Sequence, residues 1–294
     1  MPVIRMTLAY DGSAFAGWQV QPDQRTVQTT VEQAIKKVTG ETVQVLSAGR
    51  TDSGVHALGQ VASFRTQSTI PGPNWRLALQ TALPDDITIL DSRVAPETFH
   101  ATFSARRKCY RYLIYNGTAP LPFFRKYLHH HRGPLDLAPM REAAASLVGR
   151  HDFRSFETDW PNKATSVRTI ESLRIGRAQG WSLWQPASLL PTPSLPHVDT
   201  GDTSNGESDP GEFVVLEITA DGFLYNMVRT IVGTLIPIGR HTWPPGSMRE
   251  ILEAQDRRVA GNTAPACGLY LVWVDYGDDD PTDTAVTNSG EPTL

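Results

Sequence analysis

The residues best equipped for chemistry lie in one short stretch, Ala48-Gly49-Arg50-Thr51-Asp52-Ser53-Gly54-Val55-His56-Ala57-Leu58-Gly59, between two segments that read as strands. A hairpin connection needs only about two to five residues. The extra length, with a guanidinium, a carboxylate and an imidazole set among three glycines, costs conformational entropy that a mere connection need not incur. Asp52 supplies a carboxylate able to act as nucleophile or base. Thr51-Asp52-Ser53-Gly54 is also ordinary turn chemistry, so a structural role is the competing reading. Phosphate-loop chemistry is excluded, because Val55, not Lys-Ser/Thr, follows Gly54.

A second signal is a charge in an apolar setting. From Phe223 to Gly239 the chain is apolar on nearly every helical face and carries a single charge, Arg229. Such a helix is expected to be buried, and a buried guanidinium without a partner is costly. An acid must therefore approach it from elsewhere, and Asp52 is the candidate. A salt bridge that only ties two parts of the chain together would read the same way. A third signal is Arg106-Arg107-Lys108-Cys109-Tyr110-Arg111-Tyr112, where Tyr110 and Tyr112 share one face of a strand. Exposed tyrosines can stack on nucleic-acid bases, about 1 to 3 kcal/mol each, while neighbouring cations hold phosphates. The alternative puts both rings in the core and the basic residues on a solvated edge. His129-His130-His131-Arg132 reads as a solvated or phosphate-facing patch, since three adjacent histidines on an extended segment cannot all face one ion.

The elements that must position these groups follow from periodicity. Val3 to Tyr10 alternates as a strand, and Val27, Val31, Ala34, Ile35 and Val38 recur at helical spacing between Thr26 and Gly40. Strands near Val43 to Ser47 and Gln60 to Arg65, a helix near Asn74 to Leu83 and a strand near Ile87 to Val94 complete a β-α-β-β-α-β order, the split unit of ferredoxin-like sheets. A second half repeats this loosely: a strand at Lys108 to Tyr115, a helix at Leu137 to Val148, strands at Arg168 to Gly176 and Phe213 to Thr219, the helix Phe223 to Gly239 and a strand at Leu269 to Tyr276. The expected fold is an α+β body of two pseudo-repeated ferredoxin-like halves, with a mixed, mainly antiparallel sheet, helices on one side and a central cleft for binding. The halves are expected at 1–105 and 106–276. A Pro-, Ser- and Asp-rich insertion at about 186–212 and an acidic tail at 277–294 are expected to be disordered.

Charge distribution bears on the partner. The chain carries a formal charge of -4, yet residues 186–212 and 275–294 hold eleven acids and no Lys or Arg, which leaves 27 basic against 20 acidic residues elsewhere, a body of +7. Such a body can attract a phosphate backbone. The first residues lack the basic stretch and apolar core of a signal peptide, and no run of about 18 apolar residues occurs, so a cytoplasmic location without a membrane span is expected. Cys109 and Cys267 are the only cysteines, with neither C-x-x-C nor H-E-x-x-H, and support no disulfide framework and no standard zinc site.

These signals coincide with the landmarks of one family. Tyr10-Asp11-Gly12-Ser13-Ala14-Phe15-Ala16-Gly17-Trp18-Gln19 with Thr26-Val27-Gln28, and Gly49 through Ala57, resemble the two amino-terminal signatures of TruA-type tRNA pseudouridine synthases. Leu83-Pro84-Asp85-Asp86-Ile87, Gly149-Arg150-His151-Asp152-Phe153, Asn226-Met227-Val228-Arg229 with Val232-Gly233, and Ala264-Pro265 with Gly268-Leu269 follow in the family's order. The resemblance implies isomerisation of uridine to pseudouridine at positions 38, 39 and 40 of tRNA, without cofactor or metal, by a homodimer. It also implies that Asp52 is the catalytic aspartate and Arg229 its basic partner. Tyr110 is then the ring packing on the target base, Leu269 an apolar wall of the pocket, and Arg50 an RNA contact that helps hold the base out. Two other classes fit parts of the pattern. A module that grips structured RNA without chemistry has no need of the Asp52 and Arg229 pair, and a nucleoside hydrolase needs a general base, for which His56 is the nearby candidate.

Overall fold

The computed structural model describes residues 1–158, 165–178, 180–184 and 213–277. The expected insertion at 186–212 and, apart from Gly277, the expected tail lie outside the described residues. Among those described, ten strands join in one sheet: β1 (Val3–Tyr10), β2 (Leu46–Ser47), β3 (His56–Arg65), β4 (Ile87–Ala95), β5 (Arg107–Tyr115), β6 (His129–His130), β7 (Gly149–Asp152), β8 (Val167–Ala178), β9 (Phe213–Ala220) and β10 (Leu269–Asp275). Their order is β4-β1-β3-β10-β5-β9-β8-β7, with β2 on β3 and β6 on β5. Pairing is mostly antiparallel; β10 runs parallel to β3, and β6 parallel to β5. The helices are α1 (Val27–Thr39), α2 (Trp75–Gln80), α3 (Leu137–Ala145), α4 (Met227–Gly239) and α5 (Ser247–Ala254). The fold is α+β, as its sequence pattern leads one to expect.

Two periodicities place the core. In β1, Ile4, Met6, Leu8 and Tyr10 point to one face and are buried, the period-2 pattern of a pleated strand. In α1, Val27, Val31, Ala34 and Ile35 form the buried stripe, and the Thr26 hydroxyl caps the helix by accepting from the Thr29 amide. Residues of all five helices join a single cluster with Tyr110, Tyr112, Leu269 and Leu271 of the central strands. Two smaller clusters on the other face, around Tyr270 and around Val61, contain no residue of these helices.

Several boundaries differ from those expected. β3 begins at His56, not Gln60, so the loop holding Asp52 runs over Ala48 to Val55. The cause is tertiary: His56 and Ala57 pair with Tyr270 and Leu271 of β10, and Ala57 also with Tyr10. α4 begins at Met227, not Phe223, because Asn226 sits at φ 62°, where a right-handed helix cannot continue. α2 and α3 stop at Gln80 and Ala145, and the strand expected from Val43 is confined to Leu46–Ser47. α5, β6 and β7 were not expected, since β6 and β7 are too short to show a period.

The basic cluster on β5 also divides. Strand alternation sends Arg111 to the face opposite Tyr110 and Tyr112, where it is 1% exposed against a Glu217 that is 2% exposed. Its Nε and Nη2 donate to Glu217 Oε1 at 2.8 and 2.7 Å, its Nη1 donates to the Leu183 carbonyl, and Arg174 Nη2 reaches Oε2 at 2.9 Å. Arg111 is therefore a structural ion pair and not a phosphate contact, while Arg107 pairs with Asp275 at 2.6 Å. Breaking a buried pair leaves an uncompensated charge. Glu217→Leu should lower the unfolding free energy by about 3 to 5 kcal/mol in a urea titration; a loss below about 1 kcal/mol would show that Arg111 finds other satisfaction.

Candidate active site

The Asp52 loop is held mainly by the backbone that precedes it in sequence by some forty residues. Trp18 N–H donates to the Thr51 carbonyl at 2.9 Å, Gly54 N–H to that of Phe15 at 3.4 Å, and the Tyr10 hydroxyl meets Thr51 Oγ1 at 2.7 Å in the core. The approach is so close that a Cβ on Gly12 would lie 2.0 Å from the Val55 carbonyl oxygen, and one on Gly17, at φ +101°, 2.7 Å from that of Thr51. Only glycine fits such contacts. The first signature, from Tyr10 to Gln19, is thus a bracket for the second. From the other side Gln60 Nε2 donates to the Gly49 carbonyl at 2.7 Å, and Lys108 Nζ to that of Ala48.

Arg229, in the first turn of α4, meets this loop. Its Nη1 lies 3.6 Å from Asp52 Oδ2, with 17% of the arginine and 25% of the aspartate side chain exposed. The separation is that of an ion pair rather than a short hydrogen bond. Two neutral acceptors fix the guanidinium: the Ala264 carbonyl takes Nε at 2.7 Å and Asn226 Oδ1 takes Nη1 at 2.8 Å. The expectation that Arg229 draws an acid holds, but the arginine is less buried than its helix suggested and has further partners. Asn226 and Ala264 belong to stretches singled out in the sequence without a role; the i, i+3 spacing of Asn226 and Arg229 was the available signal.

Tyr110 is 7% exposed, with its ring edge-on to Phe223 at 4.8 Å. Burial first, then the charges of Tyr10 and Asp52, push its phenol well above the usual tyrosine range. Leu269 is buried on the same sheet face, cross-strand from Tyr112. Tyr112 is wholly buried and donates its hydroxyl to the Pro265 carbonyl at 2.8 Å, so it belongs to the core. Arg50 is exposed, two residues before Asp52. The structure thus brings Asp52 to Arg229 and sets the Tyr110 hydroxyl against the same loop, 3.8 Å from where a Cβ on Gly49 would lie. Leu269 shares the sheet face of Tyr110, and Arg50 stays on the surface.

His56 is not placed to activate water. Its Nε2 contacts the Lys126 carbonyl at 2.9 Å, its Nδ1 accepts from Gly12 N–H at 3.1 Å beside Asp11 Oδ1 at 3.2 Å, and its ring stacks on Tyr270. Burial raises the Asp11 carboxyl, but the adjacent His56 ring and hydrogen bonds from Ser13 and Tyr127 outweigh it and hold the group well below the usual carboxylate range. With both nitrogens engaged, the imidazole anchors the end of the loop, and the hydrolase reading loses its general base. The histidine run is no solvated patch either: His129, His130 and His131 are half-buried. Because the Gly12 backbone is part of the bracket, Gly12→Ala should speed hydrogen exchange at the Gly54 and Val55 amides by tenfold or more. Unchanged protection at those amides would show that the bracket does not hold the loop.

The family model described as tRNA pseudouridine synthase matches residues 6–104 and 143–277, which include Arg50, Asp52, Arg229 and Leu269. The chain is 46% identical over 279 residues to a protein named tRNA pseudouridine synthase A of Moorella thermoacetica, covering 94% of this chain and 100% of the relative. It is 41% identical to proteins of the same name from Syntrophomonas wolfei, with 95% and 99% covered, and Acetivibrio thermocellus, with 93% and 99% covered. With its signature segments, its Asp52 loop and its α4 arginine assembled in one place, this chain belongs to the tRNA pseudouridine synthase family.

Proposed function

We propose that the chain isomerises uridine to pseudouridine at positions 38, 39 and 40, in the anticodon stem and loop of tRNA, with Asp52 as the catalytic carboxylate. The observation that carries this is the meeting of Asp52 with Arg229 at 3.6 Å, on a loop against which the Tyr110 hydroxyl lies. In the reaction the N1–C1′ bond breaks, the uracil turns, and a C5–C1′ bond forms; N1 gains a proton and C5 gives one up. Atoms and electrons balance without a redox partner or water, so the chemistry requires no cofactor. Asp52 acts as nucleophile or as base at C2′. Arg229 keeps positive charge beside the carboxylate, and opposite charge at that range favours the ionised form. Tyr110 packs on the flipped base, Leu269 walls the pocket against water, and Arg50, at the loop surface, contacts the RNA and helps hold the base out of its stack.

The sheet order supports the division into halves at 1–105 and 106–276, since β4-β1-β3 and β5-β9-β8-β7 flank β10. A cleft between α1 with α2 and α3 with α4 is the proposed RNA seat. The enzyme acts as a cytoplasmic homodimer. An RNA-binding module would have no use for a carboxylate held beside a guanidinium in this way.

Asp52→Asn keeps size and hydrogen-bonding capacity and removes the charge. Single-turnover pseudouridine formation on unmodified tRNA should fall below detection, while tRNA affinity, resting on phosphate contacts, changes by less than about threefold. Product at more than about a tenth of the wild-type rate, a barrier change under about 1.4 kcal/mol, in a variant folded by circular dichroism would remove Asp52 from the chemistry. Turnover should also persist in excess chelator, provided that the tRNA stays folded; loss of activity there would point to a required metal.

A further inference from the structure

The N-terminus of α4 breaks two local rules at once. Asn226 holds the N-cap position, where a side-chain oxygen ordinarily accepts from the backbone amides of the first turn, yet its side chain makes no such bond. The first turn carries no acid and instead holds the cation of Arg229, against a helix dipole that favours negative charge there. Departures of this kind collect where a site requires them.

The bonds that are made account for both departures. Arg229 Nη1 donates to Asn226 Oδ1 at 2.8 Å, and the same nitrogen lies 3.6 Å from Asp52 Oδ2. A guanidinium offers donors only, so the amide oxygen must face it, and the amide nitrogen is left to donate to Thr158 Oγ1 at 3.1 Å. Thr158 is itself tied back, its N–H donating to the Tyr225 carbonyl at 3.2 Å. The amide is thereby fixed from both ends. The left-handed backbone of Asn226, at φ 62°, is open to Gly, Asn and Asp, and Asn and Asp serve about equally at an N-cap. Neither local rule separates the amide from a carboxylate. Arg229 does, because an amide accepts its hydrogen without neutralising its charge. A carboxylate at this position would face Asp52 across one nitrogen, and like charge disfavours the ionised form that the reaction uses.

We propose that Asn226 is a positioning residue of the catalytic centre, which directs Nη1 of Arg229 toward Asp52 and, being neutral, leaves the charge of the arginine to that carboxylate. Thr158 orients the amide for this task. The proposal rests on the reading of Asp52 as the catalytic carboxylate. It makes the amide at position 226 a requirement of the site and not of the helix.

Two substitutions in the full chain separate site from helix, because they rank oppositely in stability and in rate. Asn226→Asp keeps an acceptor, suits the left-handed backbone and puts an acid at the N-terminus of α4, so its melting temperature should equal or exceed that of the wild type. Asn226→Gly suits the backbone but gives up both side-chain bonds, so it should melt lower. In single-turnover pseudouridine formation at saturating enzyme the order reverses. Asn226→Gly should lose about tenfold and Asn226→Asp about a hundredfold, each with tRNA affinity within about threefold of the wild type. Rates that follow stability, with Asn226→Asp at least as fast as Asn226→Gly, overturn the proposal and leave Asn226 a helix-terminal residue only. Thr158→Val removes just the hydroxyl that orients the amide, and so serves if either Asn226 variant fails to fold. A rate lower by about three- to tenfold at unchanged affinity is expected there, and an unchanged rate overturns the proposal. Wild-type protein that forms no pseudouridine, or Asp52→Asn protein that does, would sink the assigned chemistry and this proposal with it, a failure distinct from one in which the wild type is active.

Discussion

Two residue pairs, Tyr270 with His56 and Leu271 with Ala57, seat β10 parallel to β3, while its other edge runs antiparallel to β5. That seat joins the sheet into one piece. It ends the Asp52 loop at Val55 by drawing the next residues into a strand, and it sets Leu269 on the same face as Tyr110. α4 packs on that face, in the cluster shared with Tyr110 and Leu269, and so brings Arg229 to the loop. A strand from the end of the chain thus decides the position of a residue near its beginning.

Two ion pairs in the molecule do opposite work. Arg111 and Glu217 are almost wholly buried, linked by short bonds and joined by Arg174 and the Leu183 carbonyl. Such a pair is static, because opening it would strand charge in the core. Asp52 and Arg229 are part-exposed and 3.6 Å apart, and the guanidinium takes its short bonds from Ala264 and Asn226. Arg229 is thus held in place independently of the carboxylate.

α4 also packs closely on the segment that supplies an acceptor to Arg229. A Cβ on Gly233 would lie 1.7 Å from the Asn262 carbonyl oxygen, so helix and loop pack backbone to backbone. That contact presents the Ala264 carbonyl to Arg229.

Much of this was legible in the sequence. Period-2 and period-3.6 patterns identified β1, α1, β4, β5 and β9 nearly to the residue, because burial of one face leaves a local record in residue type. The overlong loop around Asp52 and the single charge on an apolar helix pointed to two partners, because loop length and unpaired charge both carry a cost that must be met. What the sequence left open depended on contacts between distant segments. The short β2, β6 and β7 have too few residues for a period, and the late start of α4 follows from one residue in the left-handed region. Arg111 and Tyr110 are neighbours in one basic and aromatic run, yet the sheet's two faces give them a buried salt bridge and a place beside Asp52. Sequence patterning determined which residues would be buried or costly to leave alone; only the tertiary structure decided which partners they met, since pairing is set by where strands and helices from different parts of the chain pack.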